Sequence, residues 1–274
     1  MPRIAILGAG AIGSVLGTLL SRSGEDVTLI GRPAHLEAIR QDGLQVDGAL
    51  GSFTVRVATA ERLNFFPRYT FLAVKTQDVT GTLRENAAYF KDTTMVTFQN
   101  GVRSDELAAE FVGREQIISA VVNISASYLT PGKVTIVFPG SLVIGRPFGE
   151  NTPDLDSLAG ILNHAVPTSI STNIQGAHWL KLIFNLNNAF PALLNMPLHK
   201  AYEDPYLREL AARVMQEGLR TARRAGIRLE SLPDASVGLF RVLEILPSRL
   251  AGWLLASSLR RIKSEWPHPL GENP

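Results

Sequence analysis

Cysteine is absent from this 274-residue sequence. Its absence excludes disulfide bonds, thiolate catalysis and cysteine metal sites, and it is typical of a reducing compartment, so we expect a cytoplasmic location. The five histidines lack a metal-ligand spacing such as HExxH, and we therefore predict no metal site. With 27 basic and 25 acidic residues, the net charge of +2 is too small to indicate a nucleic-acid partner.

Long hydrophobic runs are also scarce. Residues 4–20 are uncharged and follow Arg3, a pattern that can mark a signal peptide. Four glycines in this run, at positions 8, 10, 13 and 17, argue against an export segment and favour a strand, a turn and a helix. No other stretch is long and apolar enough to cross a bilayer, so no membrane partner is expected.

Two regions of different character divide the sequence. In the first, short apolar runs alternate with amphipathic stretches, the pattern of a parallel sheet with crossover helices. The predicted strands cover residues 4–7, 27–30, 53–57, 69–74, 95–98, 117–122, 134–138 and 142–144, where 53–57 and the last two are candidates for edge or antiparallel strands. The predicted helices cover residues 12–23, 35–42, 79–90 and 104–111.

From about residue 172 the strand patterns stop and helical periodicity takes over. It covers residues 176–190, 205–225 and 236–262, and the last stretch is interrupted near Pro247. We therefore predict an α/β fold. A Rossmann-type dinucleotide-binding domain at residues 1–171 is followed by an all-α substrate and catalytic domain at residues 172–274.

A glycine-rich motif lies between the first predicted strand and the first predicted helix. Gly8, Gly10 and Gly13 form G-x-G-x-x-G. Gly8 suits a tight turn, Gly10 allows the backbone to approach a pyrophosphate, and Gly13 allows close packing of helix on strand. The start of the helix, with Ala9, Ala11 and Ile12, would offer backbone N–H groups to phosphates. The motif in this setting predicts a dinucleotide site.

An arginine follows the second predicted strand, where an NAD site would usually carry an acidic residue. Arg32 stands there instead, and its planar, charged donors match a 2′-phosphate. The sequence therefore favours NADP(H) over NAD(H). The alternative is a solvated surface arginine.

Polar side chains also follow two later predicted strands. Lys75 comes after residues 69–74, and Asn100 comes after residues 95–98. Ligands of open α/β sheets bind beyond the carboxyl ends of the strands, so these side chains are expected to face the same crevice as the glycine motif and Arg32. For Asn100, which precedes a glycine, a simple turn is the alternative.

The helical region opens with an apolar helix that carries a polar stripe. Lys181, Asn185 and Asn188 fall at i, i+4 and i+7. Apolar neighbours should desolvate the lysine, lower its pKa and favour proton donation near neutral pH. Pro191 is expected to kink the helix and free the carbonyl of Asn187. A surface lysine beside two solvent-facing asparagines is the alternative.

These motifs together resemble the ketopantoate reductase (2-dehydropantoate 2-reductase) family. The resemblance rests on GAGAIG at 8–13, the arginine after the second strand, AVKTQ at 73–77, FQNG at 98–101 and WLKLIFNLNN at 179–188. It implies reduction of ketopantoate to D-pantoate by NADPH, in pantothenate biosynthesis. It also implies that Lys181 is the general acid on the ketone oxygen and that Asn185 holds the substrate. Lys75 and Asn100 would line the nicotinamide and the substrate.

The sequence departs from the family pattern at two places. The usual second helix asparagine lies eight residues after the lysine, where this chain has Ala189, and Asn188 is expected to take its place. The family also has a Ser-Ser-Met and a Thr-Glu-Ile-Asp segment, which contribute a substrate-binding serine and glutamate. Ser257 and Ser258 match part of the first segment, but nothing like the second follows, so we expect truncation or alteration after about residue 262.

Three hypotheses on function remain open. The chain is a ketopantoate reductase, a related NADPH-dependent reductase of another small 2-keto acid, or an NADPH-binding remnant without turnover. The apolar stretch at residues 237–259 fits core packing or a dimer interface, so a homodimer is also left open.

Overall fold

The computed structural model describes residues 3–196 and 198–262 and divides into two compact units. The first unit extends to Ile174 and the second begins at Gln175. The segment after residue 262, on which the expected truncation rests, lies outside the described residues.

The first unit alternates strands and helices, as the sequence pattern predicts. Its strands are β1 Arg3–Leu7, β2 Asp26–Ile30, β3 Leu44–Gly48, β4 Phe53–Val55, β5 Ala58–Ala60, β6 Tyr69–Leu72, β7 Thr94–Thr97, β8 Ile117–Val122, β9 Ser125–Ser127, β10 Lys133–Phe138, β11 Leu142–Gly145 and β12 Thr168–Ile170. Its helices are α1 Ala11–Arg22, α2 Pro33–Asp42, α3 Val79–Asn86, α4 Ser104–Ala108 and α5 Pro153–Asn163, with short 3₁₀ turns at Thr76–Asp78, Ala87–Tyr89 and Arg114–Gln116.

Eight strands form the main sheet, in the order β12-β11-β8-β7-β6-β1-β2-β5. The six strands from β8 to β5 are parallel, and β11 is antiparallel to β8. Numbered along the chain, the six parallel strands follow the order 3-2-1-4-5-6 of a Rossmann sheet. The predicted α/β class with a Rossmann-type first domain is therefore confirmed.

A second sheet of four strands has the order β4-β3-β10-β9. In it β3 is parallel to β10, whereas β4 and β9 are antiparallel additions. The sequence pattern does not predict this separate sheet, because β3 and β9 lack the long apolar runs of the central strands.

The main sheet is buried on both faces. In β1, Ile4 and Ile6 pack into one apolar core, whereas Ala5 and Leu7 pack into the other. All four side chains are fully buried. Burial on both faces explains why this strand is continuously apolar rather than alternating.

The eight predicted strands and four predicted helices of the first unit are all present, with shifted ends. The sequence patterns missed four short strands, β3, β5, β9 and β12, and one helix, α5. The helix did carry a readable signal, since Leu155, Leu158, Ala159 and Leu162 are buried at helical spacing. The three-residue strands carry none, because neighbouring strands rather than their own residues establish their pairing.

The second unit is helical, as predicted. Its helices are α6 Ile174–Asn185 (which begins one residue before the division), α7 Ala189–Leu194, α8 Leu198–Ala201, α9 Pro205–Arg224, α10 Val237–Ile245 and α11 Ser248–Ile262, with a 3₁₀ turn at Leu186–Asn188. The start of α9 is capped by the Asp204 carboxylate, which accepts from the N–H groups of Tyr206 (2.7 Å) and Leu207 (3.1 Å). The predicted interruption near Pro247 separates α10 from α11.

Candidate functional site

The carboxyl ends of four neighbouring parallel strands carry the residues predicted to bind a dinucleotide. The glycine motif follows β1, Arg32 follows β2, Lys75 follows β6 and Asn100 follows β7. These strands are adjacent in the order β7-β6-β1-β2. All four sets of residues therefore lie at one edge of the sheet, where the strand order changes direction between β6 and β1.

The three motif glycines meet different surroundings. Gly8 has φ +109°, and a Cβ there would lie 2.6 Å from the Val74 nitrogen. A Cβ on Gly13 would lie 1.9 Å from the Gly8 carbonyl oxygen, whereas no atom lies within 4 Å of a Cβ placed on Gly10. The fold itself thus requires glycine at 8 and 13, while Gly10 faces open space.

Hydrogen bonds from β2 hold the turn before α1. The N–H groups of Gly8 and Ala9 donate to the Ile30 carbonyl at 2.9 and 3.0 Å. The N–H of Ala9 is therefore directed at the protein, and this residue shapes the turn rather than offering a donor. Helix geometry leaves the N–H groups at the start of α1, on Ala11 and Ile12, without intrahelical acceptors, so they can serve an anion.

The polar side chains at this edge are exposed. Arg32 is the N-cap residue of α2, Lys75 precedes the 3₁₀ turn at Thr76–Asp78, and Asn100 follows β7. Each of the three has an exposed side chain. They are therefore accessible to a ligand, as the crevice prediction requires.

Gln99 is a residue whose role the sequence pattern did not reveal. Its buried side-chain amide donates to the carbonyls of Leu72 (2.7 Å) and Val74 (2.9 Å). These bonds tie the end of β7 to the segment that leads from β6 to Lys75. The side chain thus fixes the spacing between the two loops that carry Lys75 and Asn100, and only its position inside the FQNG motif pointed to it.

In the second unit, Lys181 lies on α6, and the side chains of Leu180 and Ile183, close to it in sequence, are buried. Its side chain is half-buried, with Nζ 5.7 Å from the centroid of the Phe184 ring. Burial lowers the pKa of Lys181 below its ordinary value of 10.5, and the charge of Asp234 opposes part of that shift. The direction is the one predicted from the apolar neighbours.

The polar stripe on this helix differs from the prediction. The regular helix ends at Asn185, and Asn188 belongs to the following 3₁₀ turn. The prediction of one continuous polar stripe on a single helix is therefore wrong. The carbonyl of Asn187 is not freed either, since it accepts from the N–H of Ala189. Proline has no backbone N–H, so residue 191 cannot donate to the carbonyl four residues earlier, as a regular helix would require.

The 3₁₀ turn still brings the two predicted asparagines together. The Asn188 side-chain amide donates to the Asn185 side-chain oxygen at 3.2 Å. Asn187, between them in sequence, is buried and hydrogen-bonds Tyr202, whose pKa burial raises to about 12. This anchor was not predicted, because it depends on a residue that follows α8.

Within residues 3–196 and 198–262, no group of three or more histidine or carboxylate side chains could hold a metal ion. None of the helices in that part of the chain is long and apolar enough to span a bilayer.

Family models match both parts of the chain. Residues 4–148 match the model described as ketopantoate reductase PanE/ApbA. Residues 173–246 match the model of the PanE/ApbA C-terminal region.

Relatives and solved structures agree with these matches. The chain is 33% identical to a 2-dehydropantoate 2-reductase of Pyrococcus horikoshii, over 84% of this chain and 77% of the relative. It is similar to the crystal structure of a 2-dehydropantoate 2-reductase from Geobacter metallireducens, with TM-score 0.75 and 25% identity over 95% of this chain and 100% of the other. A structure of D-mandelate dehydrogenase with NADH and anilino(oxo)acetate shares the fold, with TM-score 0.79 and 23% identity over 88% and 79% of the two chains.

Proposed function

Because the chain belongs to the ketopantoate reductase family and is an oxidoreductase, we propose that it reduces ketopantoate to D-pantoate with NADPH. The observation that carries the proposal is the sheet edge at which the glycine turn, Arg32, Lys75 and Asn100 follow four adjacent parallel strands. The product would place the reaction in pantothenate biosynthesis, for which a cytoplasmic location is proposed.

The sheet edge fits a reduced nicotinamide dinucleotide. Open space at Gly10 and the N–H groups at the start of α1 suit a pyrophosphate. The exposed guanidinium of Arg32 suits a 2′-phosphate, which favours NADPH over NADH. When bound, the reduced nicotinamide supplies hydride to the keto carbon and is itself oxidised.

Lys181 is proposed as the general acid. As the carbonyl carbon gains hydride, its oxygen gains negative charge, and the ammonium of Lys181 donates a proton to that oxygen to give the hydroxyl. Its lowered pKa makes the proton easier to release than that of an exposed lysine. The amine then takes a proton back from solvent, which restores the starting charge.

The remaining predicted side chains are proposed to orient the reactants. Lys75 and Asn100 would orient the nicotinamide and the substrate, while Asn185 and Asn188 would hold polar groups of the substrate. The 3.2 Å bond between the two asparagines supports this proposal, because it leaves the Asn185 amide as a donor and holds the pair in one geometry.

A steady-state assay with the whole chain tests the proposal. Oxidation of NADPH is followed with ketopantoate, with pyruvate and with 2-ketoisovalerate, and each reaction is repeated with NADH. We expect the highest kcat/KM for ketopantoate with NADPH. A higher kcat/KM for another 2-keto acid would support the alternative of a related reductase, for which the shared fold of D-mandelate dehydrogenase is the motivation.

The Lys181→Ala variant tests the proton donor. We expect kcat to fall by about 10²- to 10⁴-fold, with the Kd for NADPH unchanged. An unchanged kcat would refute the role of Lys181. Tight NADPH binding by the wild-type chain without turnover of any 2-keto acid would instead support the hypothesis of a cofactor-binding remnant.

A further inference from the structure

His35, on α2, is a buried histidine for which neither the motifs nor the proposed reaction has a use. Only 2% of its surface is exposed, and both ring nitrogens have partners outside its own helix. The backbone N–H of Gly132 donates to Nδ1 at 2.9 Å, and the Ser14 hydroxyl lies 3.1 Å from Nε2. The edge of the ring packs on Tyr128, with centroids 4.6 Å apart.

These partners determine which nitrogen carries the proton. An N–H group such as that of Gly132 can only donate, so Nδ1 is an acceptor and the ring proton is on Nε2. Nε2 then donates to the Ser14 hydroxyl, and the hydroxyl in turn donates to the Ala9 carbonyl at 3.2 Å. Burial lowers the pKa of His35, which favours the neutral ring that this chain of hydrogen bonds needs.

The chain of hydrogen bonds ends on a peptide group of the glycine turn. The Ala9 carbonyl and the Gly10 N–H belong to the same planar trans peptide, so they point in opposite directions. Holding the carbonyl of Ala9 toward Ser14 therefore aims the N–H of Gly10 away from the protein interior. That N–H belongs to the residue whose Cβ position is surrounded by open space.

We propose that His35 is a positioning residue for the pyrophosphate of the bound dinucleotide. Through Ser14 it orients the Ala9–Gly10 peptide, so that the Gly10 N–H is ready to donate to a phosphate oxygen. It also ties that peptide to Gly132, which lies in the turn before β10 and is 97 residues from His35 in sequence. This inference rests on the proposed function, because it assumes that the turn binds a dinucleotide.

His35, on α2, and Arg32, the N-cap residue of the same helix, should therefore have separable roles. A pyrophosphate is common to NADPH and NADH, whereas only NADPH has a 2′-phosphate. Loss of the hydrogen bond between His35 and Ser14 should therefore weaken the binding of both dinucleotides by the same factor. Loss of the Arg32 guanidinium should weaken the binding of NADPH far more than that of NADH.

The test measures the Kd of NADPH and of NADH by fluorescence titration of the whole chain and four variants. Ser14→Ala removes the link to Ala9, and we expect both Kd values to rise by about two- to tenfold, the contribution of one hydrogen bond. His35→Asn, whose amide oxygen can replace Nδ1 but cannot reach Ser14, should match it. His35→Gln, whose amide can replace Nε2, should lie nearer the wild type. Arg32→Ala is the control, and it should raise the Kd for NADPH far more than the Kd for NADH.

A double variant gives the sharper criterion. If His35 acts through Ser14, adding His35→Asn to Ser14→Ala should raise the Kd no further, because the shared connection is already lost. Unchanged Kd values for Ser14→Ala, an effect on NADPH alone, or additive losses would each overturn the proposal. Ser14→Ala keeps the test valid even where a histidine variant fails to fold. If the wild-type chain bound neither dinucleotide, the proposed function itself would fail, a result distinct from these.

Discussion

The two units prepare their functional groups by different physical means. In the first, backbone conformation forms the candidate binding site. Glycines allow a turn that no other residue could form, and polar side chains remain exposed around it. In the second, burial prepares the candidate proton donor, since the half-buried Lys181 has a pKa that its apolar surroundings lower. A dinucleotide can be recognised by preset N–H groups, whereas proton transfer needs a group whose charge is poised to change.

The largest effect is expected where the first unit depends on close backbone contact. In Gly13→Ala the new Cβ would lie 1.9 Å from the Gly8 carbonyl oxygen, so the backbone must shift. We expect the free energy of unfolding to fall by about 3 kcal/mol. Urea denaturation followed by circular dichroism measures it.

Gly81→Ala is the matched control for that substitution. Gly81 lies within α3, and no atom lies within 4 Å of a Cβ placed there. Alanine should stabilise this helix by up to about 1 kcal/mol. Equal destabilisation by both variants would contradict the argument that contact, rather than loss of glycine as such, matters at position 13.

A second variant separates folding from binding within the same motif. In Gly10→Ala the new methyl group meets no protein atom, so the free energy of unfolding should stay close to that of the wild type. We expect the Kd for NADPH to rise at least about tenfold, or about 1.4 kcal/mol, because the methyl occupies the space of a phosphate. Isothermal titration calorimetry measures the affinity, and wild-type affinity would show that no phosphate approaches Gly10.

Acid stability tests burial within the first unit. The pKa of His35 is lowered from 6.5, so below pH 6.5 the unfolded chain binds a proton that the folded chain does not. The free energy of unfolding should therefore fall as the pH drops, by at most about 1.4 kcal/mol per pH unit from this residue. His35→Gln should flatten this part of the curve, whereas His164→Gln, at an exposed position, should not.

The smallest effect is expected from the exposed carboxylate that acts on Lys181. Because Asp234 favours the charged amine, Asp234→Asn should lower the pKa of Lys181 further. A general acid works only when it is protonated, so kcat/KM should decline as the pH rises through the pKa of Lys181. In the wild type this decline should occur at a pH below 10.5, and in the variant at a still lower pH. A pH–rate profile measures the change, which solvent screening keeps small.

Glu217→Gln controls for the loss of charge in that experiment. It removes one carboxylate from an exposed position on α9. Its pH–rate profile should coincide with that of the wild type. A shift as large as that of Asp234→Asn would mean that overall charge, rather than the position of Asp234, controls the amine.

Sequence patterns were sufficient to predict the parts of the fold that depend on residues close together in the sequence. The apolar runs of β1, β2, β6, β7 and β8 predicted the parallel sheet, because strands buried on both faces are rich in apolar residues at successive positions. The patterns identified β4 and β10 of the second sheet but missed β3 and β9, and they did not predict that β3 pairs with β10, which is distant in sequence. They also failed for the end of α6, because a 3₁₀ turn at Leu186–Asn188 interrupts what looked like one helix.

Some features of the candidate site could likewise be predicted from the sequence, and others could not. The glycine spacing and the residues that follow each strand were visible in the sequence, and the parallel order of the strands is enough to place them at one edge. The Gln99 bonds were not predictable, because their acceptors lie at the end of β6 and in the segment that follows it, more than 20 residues away in sequence. The pairing of Asn187 with Tyr202 was not predictable for the same reason.

The sequence by itself determined the glycine turn, the alternation of strands and helices and the change to an all-helical region, because these depend on the steric and hydrophobic properties of neighbouring residues. Only the tertiary structure decided how much water the Lys181 amine loses, which carboxylate acts on it and how His35 connects to Gly132. Desolvation and hydrogen bonding depend on what packs against a side chain, and in these cases the partners are far away along the chain.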